Sequence, residues 1–352
     1  MTAPVAETLD EVLAPDHLSA ALGERHPGVR VESARALDVG HGVATRTAVE
    51  LTYAPGGGRG LPTRMFLKAG FEGEATAHLL GSGLFLREAR FYRDIAPTLS
   101  VPTPRCYYAG PDEATGQGVL QLEDLTGRAE FPGLGGALAV DEAEVFAREL
   151  AGLHAARWAD GDAPDLAWLP DLDAVAQGPF RSDPDRLRRN LAGARGAVAP
   201  VAVADPDRIA AGFGAFAGWA TTEPACLVHG DSHGGNIFHA DDGRHGWFDW
   251  QMLHRGHWAL DLSYLLAGCL TVDDHARHVR SLLAAYLDAL GRAGADTPGA
   301  DAAWGAYRRA TAFGLFVWAT VRESIIPVET CVTMFERYAV AAADADVFGA
   351  LR

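Results

Sequence analysis

The sequence predicts an α+β fold in two lobes, a small β-rich N-terminal lobe with one main helix and a larger, mostly helical C-terminal lobe. Three observations carry this. The chain has 352 residues, more than one hydrophobic core usually organises. Alternating apolar patterns bounded by Gly and Pro dominate up to Glu123-Asp124-Leu125. From about Asp141 to Arg352 the chain is Ala-rich with helical spacing, interrupted chiefly around residues 225–250. The expected division is therefore 1–122 for the N-lobe, 123–125 for a connecting hinge and 126–352 for the helical lobe.

In chain order, residues 29–37 and 43–53 read as strands joined by Asp38-Val39-Gly40-His41-Gly42, and residues 63–69 as a third. A helix is expected over residues 84–95, where Leu84, Glu88, Phe91, Tyr92 and Ile95 share a face and Arg87, Arg90, Arg93 and Asp94 take the solvent side. Residues 106–109 and 119–123 complete the strands. Asp141 with Glu144 three residues on reads as a capping box opening the helical lobe.

Composition narrows the function classes. Apolar residues at 48 % and charged residues at 22 % describe a folded globular chain. The formal net charge of −16 repels a phosphate backbone, so nucleic acid is not expected as a partner. The first residues lack a basic region and a long apolar stretch, and no apolar run reaches the roughly 20 residues of a membrane span, so no membrane association and a cytoplasmic location are expected. Cys106, Cys226, Cys269 and Cys331 form no CxxC pair, which suits reduced thiols.

Among 30 basic residues Lys68 is the single lysine; the other 29 are arginine. An ammonium retained against that bias suggests a site where the planar guanidinium fork does not substitute. Lys68 lies near the end of the third strand, and Glu88 occupies the apolar stripe of the next helix. A buried carboxylate calls for a cation, and Lys68 is one strand away.

The densest chemistry is Val228-His229-Gly-Asp231-Ser-His233-Gly-Gly-Asn236-Ile-Phe-His239, followed by Asp241-Asp242-Gly243 and Trp247-Phe248-Asp249-Trp250-Gln251. With Asp242-Gly243 as a two-residue hairpin turn, Asn236 is expected opposite Asp249. Asp231, five residues before Asn236, adds a third oxygen. Oxygen ligands without thiolate favour magnesium or manganese over zinc.

These strings resemble the H-G-D-x-H-x-x-N and [IF]-D-[WF]-Q signatures of the aminoglycoside phosphotransferase and choline-kinase-like superfamily, nearest its ecdysteroid-kinase-like branch. The likeness extends through Lys68, Glu88-Ala-Arg-Phe-Tyr92, Leu122-Glu-Asp-Leu125, Leu153-His-Ala155 and Asp261-Leu-Ser-Tyr264, covering about residues 30–270. The resemblance implies a protein-kinase-like bilobal fold and an ATP- and Mg2+-dependent kinase acting on a small-molecule alcohol, with GTP as a possible donor. It implies Asp231 as the catalytic base, Asn236 and Asp249 as magnesium ligands, and Lys68 on the α- and β-phosphates, fixed by Glu88. Gly40 and Gly42 would cover the phosphates, and Leu122, Glu123, Asp124 and Leu125 would form the hinge that holds the base. His229, His233 and Asp261 would support the catalytic loop. Trp250, Gln251 and Arg255 are expected on the acceptor side.

A bulky, weakly charged alcohol is the acceptor that branch and the aromatics Trp304, Tyr307, Phe313, Phe316, Trp318 and Phe335 suggest, although core packing is the more common fate of such residues. An aminoglycoside- or choline-type acceptor is the alternative within the class. A metal-dependent phosphoester hydrolase built on His229, Asp231 and His233 is the alternative outside it, but leaves Lys68, Glu88 and the hinge unexplained. An inactive nucleotide-binding scaffold is disfavoured by competent residues at all five key positions. A monomer or homodimer is expected.

Overall fold

The computed structural model describes residues 6–41, 44–58, 60–71, 82–161, 163–178 and 183–352. Gly42 therefore lies outside the described residues. The chain divides into two compact units, Met1–Ala129 with Ala240–Met252, and Glu130–His239 with Leu253–Arg352.

The first unit is built on an antiparallel sheet. Its strands are β1 (Val31–Ala36), β2 (Gly40–His41), β3 (Thr45–Tyr53), β4 (Arg64–Ala69), β5 (Cys106–Pro111) and β6 (Gly118–Glu123). They are ordered β1-β3-β4-β6-β5, with β2 paired to the end of β3. Period-two alternation buries Val49 and Leu51 on β3 and Met65 and Leu67 on β4 against the N-terminal helices α1 (Leu9–Leu13) and α2 (Pro15–Gly23). Lys68 sits in the middle of the sheet, opposite Arg46 on β3 and Leu120 on β6.

The helix expected over residues 84–95 changes character partway. It is α-helical as α3 (Leu84–Arg90) and continues as a π-helix over Phe91–Ile95. Its stripe is buried as expected, with Glu88, Phe91 and Tyr92 nearly inaccessible, but Arg87 is buried too instead of facing solvent. Close docking of α3 on β6 depends on Gly118, where a Cβ would stand 2.1 Å from the Phe85 carbonyl oxygen.

The second unit is mainly helical. Its long helices are α4 (Val140–Ala155), α8 (Pro206–Ala220), α9 (Ala259–Cys269), α10 (Val272–Arg292), α11 (Ala300–Thr320) and α12 (Val328–Asp344); α5 (Leu172–Gln177), α6 (Pro184–Ala192), α7 (Ala194–Val198) and α13 (Val347–Ala350) are shorter. Helix α4 opens two residues earlier than the expected capping box. Its N-cap is Ala139, whose N–H donates to Glu142 at 2.8 Å. Alanine has no acceptor, so only half of the box forms. Strand β7 (Cys226–Val228) pairs antiparallel with β8 (His254–Gly256). No helix among the described residues is long and apolar enough to cross a membrane, and the four cysteines are free thiols.

The aromatics of α11 and α12 are core residues. Tyr307, Phe313, Phe316, Trp318 and Phe335 are all buried, and Trp304 is half-buried, stacked on Tyr307 with the Arg280 guanidinium over its face. The packing alternative therefore holds, and these rings do not build an acceptor pocket.

Gly118→Ala is expected to destabilise the first unit by about 2–4 kcal/mol, because neither the helix backbone nor the sheet can yield 1 Å without losing its ladder. Thermal unfolding followed by circular dichroism, with a melting temperature unchanged from wild type, would show that the close approach carries no such constraint.

Candidate active site

In the first unit the sole lysine meets two carboxylates. Lys68 Nζ lies 2.8 Å from Glu88 Oε2, 3.0 Å from Glu88 Oε1 and 2.8 Å from Asp249 Oδ1. Burial alone would push the ammonium pKa down; Asp249 and Glu88 together outweigh it and hold it above its ordinary value. Burial pushes Glu88 up, opposed by Lys68 and reinforced by Asp249. The carboxylate–ammonium pair expected from the sequence is thus present, with Asp249 as a third member.

Helix α3 fixes the segment that carries Asp249. The Trp250 N–H donates to Glu88 Oε1 at 3.2 Å, Arg87 donates to the Gln251 carbonyl at 2.8 Å, and the Trp250 ring stacks on Phe91 at 3.9 Å. Burial pushes Arg87 down to about 10. Asp249 itself has φ +62°, the left-handed region that side chains other than glycine enter at a cost. Trp250 and Gln251, expected beside the acceptor, are instead buried. Trp250 is wholly inaccessible in its stack on Phe91, because the helix needs an apolar surface there. Arg87 is the residue sequence reasoning missed, since a periodicity count places it on the polar face.

The hairpin before Asp249 also differs from expectation. The Ala240 N–H donates to the Arg244 carbonyl at 2.7 Å and the Gly243 N–H to the Ala240 carbonyl at 2.9 Å, with Gly243 at φ +84°. This is a three-residue loop, Asp241-Asp242-Gly243, closed by a glycine bulge, not a two-residue turn on Asp242-Gly243. Ala240 therefore faces Arg244, and the register counted from the shorter turn is displaced by one.

At the hinge, the acidic side chains are already engaged. Glu123 accepts from Arg244 at 2.8 and 3.1 Å, and Asp124 pairs with Arg64 and accepts the Thr126 N–H at 2.9 Å. Leu122 lies in the sheet, paired with Phe66 and Cys106. The Glu123 N–H donates to the Arg105 carbonyl at 2.7 Å, whereas the N–H groups of Asp124 and Leu125 have no partner among the described residues. Gly40 is a β-ladder residue, opposite Arg46.

In the second unit, the loop after β7 gathers the remaining residues. Asn236 Nδ2 donates to the Asp231 carbonyl at 2.8 Å and to Asp231 Oδ2 at 3.0 Å, which leaves the amide oxygen as the group not turned toward Asp231. His233 Nδ1 accepts the Gly235 N–H at 3.0 Å, so its proton belongs on Nε2, 3.3 Å from Asp231 Oδ1. Burial alone would raise the Asp231 pKa; His233, His229 and the Asn236 hydrogen bond hold it below the ordinary value.

Asp261, fully buried on α9, accepts the N–H groups of His229 at 2.6 Å and Gly230 at 2.9 Å, and lies 3.1 Å from His154 Nε2. His154 Nδ1 is 2.7 Å from the Tyr286 hydroxyl. Asp261 is third in the helix, after Ala259, and its carboxylate bonds the backbone at the start of the loop. His229 Nδ1 accepts the Asp231 N–H at 3.3 Å. Arg255 donates Nε to the Leu169 carbonyl at 3.0 Å, a structural bond. Among the described residues no group of three or more His, Cys, Asp or Glu side chains is arranged to hold a metal.

A microcompartment-associated aminopropanol kinase superposes with a TM-score of 0.54 at 14 % identity, covering 95 % of this chain and 98 % of that one. The GDP complex of an aminoglycoside 2'-phosphotransferase gives 0.47 at 14 % identity over 95 % and 99 % of the two chains. A choline kinase from Streptococcus pneumoniae gives 0.47 at 14 % identity over 93 % and 97 %. No curated protein sequence matches. The aminopropanol kinase shares the kinase-like fold, a β-sheet lobe and a larger helical lobe. The profile of the phosphotransferase enzyme family matches residues 64–311, from the strand of Lys68 to helix α11, and the chain belongs to that family.

Proposed function

We propose that this protein is an ATP- and magnesium-dependent O-phosphotransferase that moves the γ-phosphate to a hydroxyl of a small molecule, GTP being the alternative donor. The observation that carries the reading is the only lysine of the chain, buried between Glu88 and Asp249. A buried ion cluster of this kind contributes little net stability, so its retention points to chemistry. In this reading residues 1–122 bind the nucleotide, 123–125 form the hinge and 126–352 carry the catalytic loop and the acceptor.

Lys68 binds the α- and β-phosphate oxygens, and Glu88 holds its ammonium in place. The backbone N–H groups of Asp124 and Leu125 meet the base. The Asn236 amide oxygen and the Asp249 carboxylate are hard oxygen donors that fit magnesium, which needs few protein ligands when phosphates and waters complete its shell. A magnesium ion held by these donors would neutralise triphosphate charge. Asp231, kept ionised by His233 and Asn236, orients the acceptor hydroxyl and takes its proton. The hydroxyl oxygen bonds to the γ-phosphorus as the bond to the β,γ-bridging oxygen breaks and the nucleoside diphosphate leaves.

The hydrolase alternative leaves Lys68, Glu88 and the hinge without a role, and the Nδ1 atoms of His229 and His233 accept backbone N–H groups. For the acceptor, the bulky-alcohol reading no longer has the aromatics of α11 and α12 in its support and rests on the branch resemblance. Offering the enzyme ATP, magnesium and equal amounts of macrolide or terpenoid alcohols, aminoglycosides and choline, with products read by mass spectrometry, separates that reading from the aminoglycoside- or choline-type one.

Lys68→Arg is expected to lower kcat by about 100-fold or more while leaving the melting temperature within a few degrees, since a planar fork does not fit between two carboxylates set for a point charge. Steady-state rates within a few-fold of wild type would refute the role given to the ammonium.

Asp249→Asn should weaken Mg-ATP binding by about tenfold or more, whereas Asp231→Asn should leave binding near wild type and depress turnover by about 100- to 10,000-fold. Calorimetric titration beside steady-state kinetics decides the division. Equal loss of affinity in both variants overturns it.

A further inference from the structure

The hinge carries two adjacent acids, and each is paired with an arginine from a different arm of the first unit. Asp124 pairs with Arg64, which starts β4 four residues before Lys68. Glu123 pairs with Arg244, at the tip of the hairpin five residues before Asp249. The second pair is the more elaborate. Arg244 Nη2 and Nη1 reach Glu123 Oε1 and Oε2 at 2.8 and 3.1 Å, a two-point fork, while its Nε donates to Asp242 Oδ2 at 2.8 Å. Asp242 Oδ1 in turn accepts the Arg244 N–H at 3.2 Å, and Glu123 Oε2 accepts the Arg105 N–H at 3.2 Å. Every nitrogen of the guanidinium is therefore engaged, and a fork held by acids on two sides has one orientation. The backbone adds a parallel tie, from the Asp241 N–H to the Arg128 carbonyl at 2.9 Å.

From this geometry we infer that Arg244 is a positioning residue for the nucleotide, fixing the hinge backbone relative to the arm that ends in Asp249. The inference rests on the phosphotransferase reading above. It follows from three points on the chain. Among the described residues, the hinge N–H groups without a partner belong to Asp124 and Leu125, the residues directly after Glu123. Asp249 is locked to Lys68 and, through the Trp250 N–H, to Glu88. A nucleotide that touches the hinge with its base and Lys68 with its phosphates spans the two, so its affinity depends on their separation. Arg244 touches neither end itself. It acts on binding through Glu123, and it acts on the phosphate side only through the short strand between Arg244 and Asp249.

A variant at this position is expected to fold. The side chain is one-third exposed, and it borders a cavity of about 230 Å3 lined also by Leu125, Arg128, Ala240, Asp241 and Asp242, so truncation removes no core contact.

The test is nucleotide KM, acceptor KM and kcat of the full-length enzyme with Arg244→Met, Glu123→Gln, the double variant and Arg35→Met, which breaks an exposed ion pair elsewhere on the same sheet. Arg244→Met is expected to raise the ATP KM about tenfold, with kcat and acceptor KM within about twofold of wild type. Glu123→Gln should act in the same direction, and the double variant should be no worse than the more affected single one, since both remove one fork. Arg35→Met should match wild type. An unchanged ATP KM in Arg244→Met, or equal losses in kcat and both KM values that track a lowered melting temperature, overturns the positioning role. A wild-type enzyme that binds and turns over no nucleotide triphosphate instead overturns the phosphotransferase reading on which the role depends.

Discussion

The buried Lys68 ammonium, shared between the buried Glu88 carboxylate and the part-exposed Asp249 carboxylate, sets the requirements that much of the first unit meets. Charges removed from water are costly unless their partners are held at hydrogen-bond distance, and a shift of an ångström forfeits much of the gain. The surrounding structure supplies that rigidity. Lys68 is on a strand with neighbours on both sides, Glu88 is on a helix seated against β6 by Gly118, and Asp249 is fixed by bonds from α3 to the two residues that follow it. Sheet, helix and hairpin arm therefore converge on a site that returns little stability of its own.

The second unit repeats the strategy with a different charge. Asp261 is fully buried and, among the described residues, pairs with no arginine or lysine; backbone N–H groups of His229 and Gly230 and the His154 ring meet it instead. Burial pushes its pKa up, and these partners bring it below the ordinary value, so the carboxylate stays ionised inside the helical core. Its negative charge fixes the start of the loop from which Asp231 and Asn236 project. The loop that carries Asp231 is thus held by a second carboxylate that touches no substrate in the proposed chemistry, and His154 and Tyr286 extend the brace to α4 and α10.

Much of this was legible in the residues because chemistry-bearing side chains are conspicuous against their background. A lone lysine among arginines and a glutamate in an apolar stripe predict one another, and the structure joins them. The two-residue hairpin turn failed because Asp242-Gly243 also suits a three-residue loop with glycine at the bulge, and local sequence does not choose between them. Arg87 was invisible for a related reason. Helical periodicity assigns it to solvent, and only the chain returning 164 residues later, at Gln251, gives its guanidinium a buried carbonyl to bind. Aromatic enrichment in α11 and α12 misled toward a pocket, since composition alone does not separate a ring that lines a cavity from one that fills a core.

Asp249 shows why the least legible feature is also the most informative. Its backbone lies in the left-handed region, where glycine would sit without strain and an aspartate costs about 1–3 kcal/mol. Nothing in Phe248-Asp249-Trp250 announces that conformation, because the neighbours impose it. Phe91 fixes the Trp250 ring, Glu88 takes the Trp250 N–H, and Arg87 takes the Gln251 carbonyl, so the chain must turn sharply at the residue before them. That turn directs the carboxylate of Asp249 to Lys68 while its own backbone stays free of the sheet. A fold selected for stability alone would place glycine there, and the carboxylate in its place marks the position as one held for its charge.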